Sequence, residues 1–231
     1  MAPYKSARLA LAGVAMNATF FALVLFVPAW TLDWWRAWVI IAIVIVGTAG
    51  STIDLARVDS GLLEERFKSP VQRAQPLGDK ILLIALLLSF FGYLSFTSLD
   101  ATHLHLLPRP PDWLSLAGLL ATIGGWSVAW LALRENAFAA PVVKLQEDHR
   151  QHVVDTGLYR FVRHPLYAGG ALLIAGMPLW LQSTAGTLLS LIPIAVLAIR
   201  ITLEERFLRR ELAGYDGYAD RVRYRLIPLI W

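Results

Sequence analysis

The chain has 231 residues, of which 57% are hydrophobic and 16% charged, and it has no cysteine. A mean hydropathy of +0.55, with the apolar residues gathered in long blocks, excludes an ordinary water-soluble domain and predicts an integral membrane protein. The missing cysteines exclude disulfides, thiolate catalysis and cysteine-ligated metal centres.

Six apolar blocks follow one another along the chain. They cover residues 8–30, 38–53, 81–99, 113–133, 165–181 and 185–201. The first block is long and continues into the second, which favours a spanning helix over a cleaved signal peptide. Only residues 182–184 separate the last two blocks, and such a short turn predicts a tight helical hairpin. We therefore predict an all-α polytopic membrane bundle of about six transmembrane helices.

The positions of the basic residues predict the topology. Of the 21 lysines and arginines, only Arg36 and Arg109 fall on the side of the bundle away from the termini. By the positive-inside rule, both termini lie in the cytosol, and we expect a bacterial inner (cell) membrane. The net charge of +4 thus reflects membrane boundaries and predicts no nucleic-acid partner.

The domain organisation follows from the same pattern. We predict a single integral membrane domain over residues 1–231. Residues 1–133 hold the first four transmembrane helices. Residues 134–231 form a catalytic region made of a cytosolic segment, the helical hairpin and a C-terminal tail that begins at Glu204.

Polar residues concentrate in residues 157–170, where the cytosolic segment meets the fifth apolar block. Arg163 and His164 come directly before Pro165, a residue suited to the first turn of a helix. Glu204 and Glu205 follow the sixth block. Because the fifth and sixth blocks are neighbours, these two clusters should face each other and line a pocket open toward lipid. Such a pocket suits a polar cofactor and a lipophilic substrate.

The spacing of these residues resembles a known family. The run is Gly157-x-Tyr159-Arg160-x-x-Arg163-His164-Pro165-x-Tyr167-x-Gly169, followed by Glu204-Glu205 and Tyr215-x-x-Tyr218. It is similar to the isoprenylcysteine carboxyl methyltransferase family and its phospholipid methyltransferase relatives. The segment that contains Lys144, Gln146 and His149 resembles the bacterial branch of that family.

The resemblance implies a membrane-integral methyltransferase that uses S-adenosylmethionine and acts on a lipophilic or lipid-anchored acceptor, a carboxylate above all. It implies cofactor contacts from Gln146, Gly157, Tyr159, His164, Tyr167, Glu204 and Glu205. Arg163 and Glu205 are the predicted catalytic residues. Arg163 suits an anionic acceptor because arginine holds a carboxylate through two parallel hydrogen bonds. A carboxylate acceptor is ionised at neutral pH and needs no base. An amine acceptor would need one, from Glu205 or His164.

Four alternatives remain open at this point. The first is methylation of a phospholipid or another amine by the same fold. The second is an NADPH-dependent sterol-type reductase, although the Asn and Glu typical of those enzymes are missing after His164-Pro165. The third is a transporter, although no span interior before residue 200 carries a charge except Asp54, which lies near a helix end. The fourth is a purely structural role for the motif residues, with its arginines as boundary charges and its tyrosines as interfacial anchors.

A metal site is not predicted. His103 and His105 are two residues apart in the connection after the third block, and His152 lies in the cytosolic segment. No third ligand is in evident reach of the first two, whereas catalytic zinc needs at least three protein ligands.

Overall fold

The computed structural model describes residues 3–58, 77–136 and 152–231. The described part of the chain is helical, with eight α-helices: α1 (Pro3–Ala29), α2 (Trp35–Val58), α3 (Leu77–Leu99), α4 (Asp112–Glu135), α5 (Pro165–Trp180), α6 (Thr184–Leu189), α7 (Leu191–Glu211) and α8 (Tyr215–Arg221). A π-helical turn, Asp100–Leu104, extends α3, and a short 3₁₀ helix, Gly157–Arg160, precedes α5. The predicted all-α membrane bundle is confirmed.

Within the described residues, five helical stretches are long and apolar enough to cross a membrane. They are Leu11–Ala29, Trp35–Asp54, Leu77–Leu104, Asp112–Glu135 and Thr184–Glu211. The remaining apolar block forms α5, whose 16 residues extend about 24 Å, less than the roughly 30 Å of a hydrocarbon core. The chain is thus a multi-pass membrane protein in which α5 is a short helix beside five longer stretches.

Two helix boundaries differ from the sequence prediction, and both differences concern charged residues. Helix α3 begins at Leu77, so Asp79 lies in its first turn and not in a loop. Helix α7 continues past Ile201 to Glu211, because the Leu, Glu and Arg residues that follow are strong helix formers. Glu204 and Glu205 consequently lie within a helix, and the charged tail that the sequence predicts from Glu204 begins inside α7.

Helix α5 packs mainly against α4, and this is the most extensive interface among the described helices. Glycines allow the two backbones to touch: a Cβ atom added to Gly125 would lie 2.6 Å from the carbonyl oxygen of Gly169. Likewise, a Cβ atom on Gly176 would lie 2.6 Å from the carbonyl oxygen of Gly118. Such close approach is typical of packing between membrane helices. The short turn predicted between the last two blocks is present at residues 181–183, but α5 packs mainly against α4 and α7 packs mainly against α3.

The candidate site lies at one end of this bundle, here called the site end. Helices α4 and α7 end there, whereas α3 and α5 begin there. After α8 the chain folds back onto the segment before α5, where the backbone N–H groups of Arg163 and His164 donate to the carbonyls of Tyr224 and Arg225, each at 2.9 Å. The C-terminal segment is thereby fixed to the start of α5.

The opposite end is closed by polar contacts that are buried or partly buried. Nη1 of Arg36 donates to Oγ of Ser115 at 2.7 Å, and the carboxylate of Asp100 accepts from Oγ of Ser183 at 2.5 Å. Nε2 of His103 lies 2.9 Å from the carbonyl oxygen of Ala29. Within residues 3–58, 77–136 and 152–231, no group of three or more potential ligands is close enough to hold a metal ion.

Candidate active site

Glu205 lies at the centre of a buried polar network. Its Oε1 accepts from Nε of Arg163 at 2.5 Å and lies 3.2 Å from Nε2 of His164. Its Oε2 accepts from Nε of Arg225 at 2.7 Å. Only 4% of the Glu205 side chain is exposed. A carboxylate buried to this degree needs such partners, since an unpaired charge is costly to bury.

Arg163 connects this carboxylate to the end of α8. Nη1 of Arg163 donates to the carbonyls of Val222 and Arg223 at 2.6 and 2.9 Å. Carbonyl groups at the end of a helix lack intrahelical partners and interact favourably with a cation. Arg163 is itself buried, with 7% of the residue exposed. In this arrangement, Nε and Nη1 of Arg163 hold parts of the protein.

A second contact joins α5 to α7 beside the first. The hydroxyl of Tyr167 donates to Oε2 of Glu204 at 2.5 Å. The rings of His164 and Tyr167 lie one helical turn apart, with centroids 5.6 Å from each other. Two neighbouring carboxylates of α7 thus contact two aromatic side chains at the start of α5, which agrees with the prediction that the two clusters face each other.

A buried ion pair lies further into the bundle. Nε of Arg200 on α7 donates to Oδ1 of Asp79 on α3 at 3.0 Å, and the two side chains are 5% and 6% exposed. The guanidinium carbon of Arg200 is 5.9 Å from the centroid of the Tyr167 ring. The sequence analysis singled out neither residue of this pair. The spacing of four residues between Arg200 and Glu204 was the available signal that both lie on one face of α7.

The 3₁₀ helix before α5 depends on Gly157. This residue has a φ of +53°, and a Cβ atom there would lie 2.8 Å from Cδ of Glu135. Both observations favour glycine at this position. The hydroxyl of Thr156 hydrogen-bonds to the same Glu135, so the turn is tied to the end of α4.

Two tyrosines of α8 complete the described site. The hydroxyl of Tyr218 donates to the carbonyl of Tyr159 at 2.7 Å, which connects α8 to the 3₁₀ helix. Burial raises the pKa of both Tyr215 and Tyr218, so each remains a neutral phenol. The buried hydroxyl of Tyr215 has no hydrogen-bond partner among the residues that the structure describes. An unpaired buried hydroxyl suggests a ligand that would supply the partner.

A cleft of about 620 Å³ lies at the surface between α4 and the 3₁₀ helix. It is lined by Leu131, Arg134, Glu135, Gly157, Leu158, Arg160 and Phe161. The guanidinium of Arg160 lies over the Phe161 ring at 4.8 Å from its centroid. Gly157 lines this cleft, whereas the buried Tyr159 of the same 3₁₀ helix does not.

The structure brings most of the predicted site residues together. Arg163, His164 and Glu205 form one network, and Tyr167 with Glu204 lies beside it. Gly157 and Tyr159 belong to the adjoining turn, whereas Gln146 lies outside the described residues. Sequence reasoning missed Asp79, Arg200 and Arg225. Asp79 and Arg225 had no nearby motif to mark them, because their contacts join parts of the chain that are far apart in sequence.

Comparison with known proteins agrees with this geometry. Residues 113–213 match the family model described as phospholipid methyltransferase. No curated protein matches the chain significantly by sequence. Among solved structures, the eukaryotic intramembrane Ras methyltransferase ICMT (isoprenylcysteine carboxyl methyltransferase), solved without a monobody, is similar to this chain. The TM-score is 0.50 at 16% sequence identity, and the alignment covers 100% of this chain and 99% of that one.

These two findings concern different things. The structural likeness, at this low identity, shows a shared fold over the whole chain. The family match covers the residues from α4 to the end of α7, which include Arg163, His164, Tyr167, Glu204 and Glu205. The resemblance predicted from the motif is confirmed: residues 113–213 match the phospholipid methyltransferase family model, and the chain shares the fold of an integral membrane methyltransferase.

Proposed function

We propose that this membrane methyltransferase uses S-adenosylmethionine to esterify a carboxylate on a lipophilic or lipid-anchored acceptor. The supporting observation is the contact between the paired carboxylates of α7 and the aromatic residues of α5. Glu204 and Glu205 meet Tyr167 and His164 there, at the site end of the bundle and within the family-matched region.

The described residues fit this cofactor. S-adenosylmethionine carries a sulfonium, an ammonium group and ribose hydroxyls, all of which a carboxylate can bind. Glu204 is half-buried, accepts from Tyr167, and forms no ion pair with the described residues. The hydroxyl of Tyr215, which has no hydrogen-bond partner among the described residues, offers a further hydrogen-bonding group. We propose that Gln146, Gly157, Tyr159, His164, Tyr167, Glu204 and Glu205 hold the cofactor, which supplies a methyl group on a positively charged sulfur.

The work of the protein is then mainly alignment. A carboxylate acceptor is ionised at neutral pH, so no residue has to remove a proton from it. Holding two reactants in line can supply about 7–11 kcal/mol of the barrier reduction. Arg163 and Arg225 hold Glu205 in one position, so that Glu205 helps to position the reactants.

Two arginines are candidates to hold the acceptor carboxylate. Arg163 was predicted for this role from its place in the motif. Its Nε and Nη1 are directed at Glu205 and at backbone carbonyls, which suits a positioning role. Arg200 lies on an apolar part of α7 and next to Tyr167, where a lipophilic acceptor would present its head group. We therefore propose Arg200 as the acceptor-binding cation, with Arg163 as the residue that fixes Glu205.

The first experiment is ligand-induced thermal stabilisation of the detergent-purified protein, with S-adenosylhomocysteine and NADPH tested in parallel. A ligand that binds only the folded state raises its stability by mass action. Stabilisation by S-adenosylhomocysteine alone is expected. Stabilisation by NADPH alone would contradict the proposal and favour a reductase.

The acceptor class needs a second experiment. Methyl transfer from radiolabelled S-adenosylmethionine is measured to an S-prenylated cysteine acid and to phosphatidylethanolamine. The acid should be methylated to a product that is labile to base, as an ester is. Base-stable labelling of the amine lipid alone would replace carboxylate methylation with N-methylation and assign a general base to Glu205 or His164.

We further propose that the site faces the cytosol of a bacterial cell, with both termini on that side of the inner membrane. The supporting observation is that arginines occupy the last turns of α7 and α8 at the site end, namely Arg209, Arg210 and Arg221. By the positive-inside rule, an excess of Lys and Arg marks the cytosolic side.

A further inference from the structure

A contribution to stability does not explain why the Asp79–Arg200 ion pair is buried in this membrane bundle. Both side chains are at least nine-tenths buried, and the pair joins the first turn of α3 to an apolar part of α7. Replacing a buried ion pair by apolar residues of similar volume is often neutral or stabilising. Ionisable residues inside membrane segments are costly, and they usually mark functional sites. The pair therefore calls for a functional explanation.

Its surroundings supply one. Arg200 and Glu204 lie four residues apart on α7 and so share one face of the helix. The guanidinium of Arg200 also lies by the ring of Tyr167, whose hydroxyl donates to Glu204. Hence Asp79 contacts a side chain that lies next to the proposed methyl-transfer site.

We infer that Asp79 is a positioning residue of the acceptor site, which orients the guanidinium of Arg200 toward the acceptor. This inference rests on the proposed function. The guanidinium is planar, so a bond from Nε to Asp79 also sets the direction of Nη1 and Nη2. Recognition of a carboxylate by arginine depends on that direction, because the two hydrogen bonds must be parallel.

Asp79 lies in a different part of the chain from the proposed cofactor contacts. Asp79 belongs to α3, outside the family-matched residues 113–213. The cofactor contacts proposed above lie within that region. The N-terminal helices thus contribute to acceptor recognition, and acceptor choice can change without any change in the cofactor site.

The test measures steady-state kinetics with an S-prenylated cysteine acid for wild type, Asp79→Asn, Arg200→Gln and the double variant. Asparagine has nearly the same shape as aspartate but lacks its charge. We expect Asp79→Asn to raise KM for the acid about tenfold, the loss of one charged hydrogen bond, with S-adenosylhomocysteine affinity within twofold of wild type. If Asp79 acts through Arg200, adding Asp79→Asn to Arg200→Gln causes no further rise in KM. The double variant also removes both buried charges, so this comparison remains possible if Asp79→Asn fails to fold.

Asp100→Asn is the matched control. Asp100 is a buried carboxylate on the same helical stretch, at the opposite end of the bundle. We expect it to lower stability without changing KM for the acid. An unchanged KM in Asp79→Asn, or a further rise in the double variant relative to Arg200→Gln, would overturn the inference while S-adenosylhomocysteine still binds. Absence of S-adenosylhomocysteine binding by the wild type would instead refute the proposed function.

Discussion

At the scale of single residues, Glu205 determines how the site is held together. Its partners come from three places: Arg163 precedes α5, His164 caps it, and Arg225 follows α8. One carboxylate on α7 thus fixes two other segments of the chain. A partner lost from this network leaves a buried group unsatisfied, which costs more than the original contact contributed.

Glu205→Gln should therefore affect both folding and cofactor binding. Glutamine keeps one carbonyl oxygen, but its NH₂ group must face an arginine that also donates. We expect a lower apparent melting temperature. We also expect at least a tenfold lower affinity for S-adenosylhomocysteine, measured from the thermal shift as a function of ligand concentration. Glu211→Gln, an exposed change at the end of the same helix, is the control. A wild-type response in Glu205→Gln would remove Glu205 from the proposed cofactor site.

Arg163→Lys tests the connection between the site and the C-terminal segment. Lysine has no planar fork and cannot reach Glu205 and the end of α8 in the same way. We expect faster amide hydrogen exchange at positions 163 and 164. In the wild type, the N–H groups at these positions donate to the carbonyls of Tyr224 and Arg225. Arg206→Lys, on an exposed position of α7, should leave these rates unchanged. Equal exchange in both variants would show that Arg163 does not hold this segment.

At the scale of helices, the position of α5 depends on its contact with α4. His164 is the N-cap of α5 and Tyr167 lies in its first turn, so any displacement of this helix moves both relative to Glu204 and Glu205. The glycines of the interface set the distance between the two backbones. Packing against α4 is thus part of how the site acquires its geometry.

Two adjacent glycines of α4 allow a matched comparison. A Cβ atom on Gly125 would lie 2.6 Å from the carbonyl oxygen of Gly169, whereas one on Gly124 meets nothing within 4 Å. Gly125→Ala should destabilise the protein by about 1–3 kcal/mol through overpacking. Gly124→Ala should be neutral or stabilise it by up to about 1 kcal/mol, because alanine favours helix. Thermal melts in one detergent compare the two. Equal melting temperatures would mean that α4 and α5 are less closely packed than described.

The helices themselves could be predicted from sequence more readily than their pairing. Long apolar blocks identify spanning helices because each helix satisfies its own backbone hydrogen bonds. The choice of α4 over α7 as the partner of α5 depends instead on which glycines face each other. Arg163, His164 and Glu205 were predictable because a motif brought them together. Asp79 and Arg225 were not, because their contacts with Arg200 and Glu205 exist only once distant helices have packed.

At the scale of the whole molecule, the two ends of the bundle have different characters. The site end carries the carboxylates of α7 and the folded-back C-terminal segment. The opposite end carries Arg36 and Asp100, whose contacts close the connections between helices. We therefore expect the chemistry to take place at the site end, and the opposite end to serve structural closure.

The lack of native cysteine makes this division directly testable. His105→Cys places a thiol on an exposed position at the opposite end, and Asp220→Cys places one on an exposed position of α8 at the site end. In right-side-out bacterial membranes, a membrane-impermeant maleimide should label His105→Cys and not Asp220→Cys, and inverted vesicles should give the reverse. Labelling both variants after detergent solubilisation controls for reactivity. The predicted topology places residue 105 outside the cell and the site in the cytosol, so an odd number of membrane crossings must separate the two positions. If both thiols react from the same side, this topology is wrong.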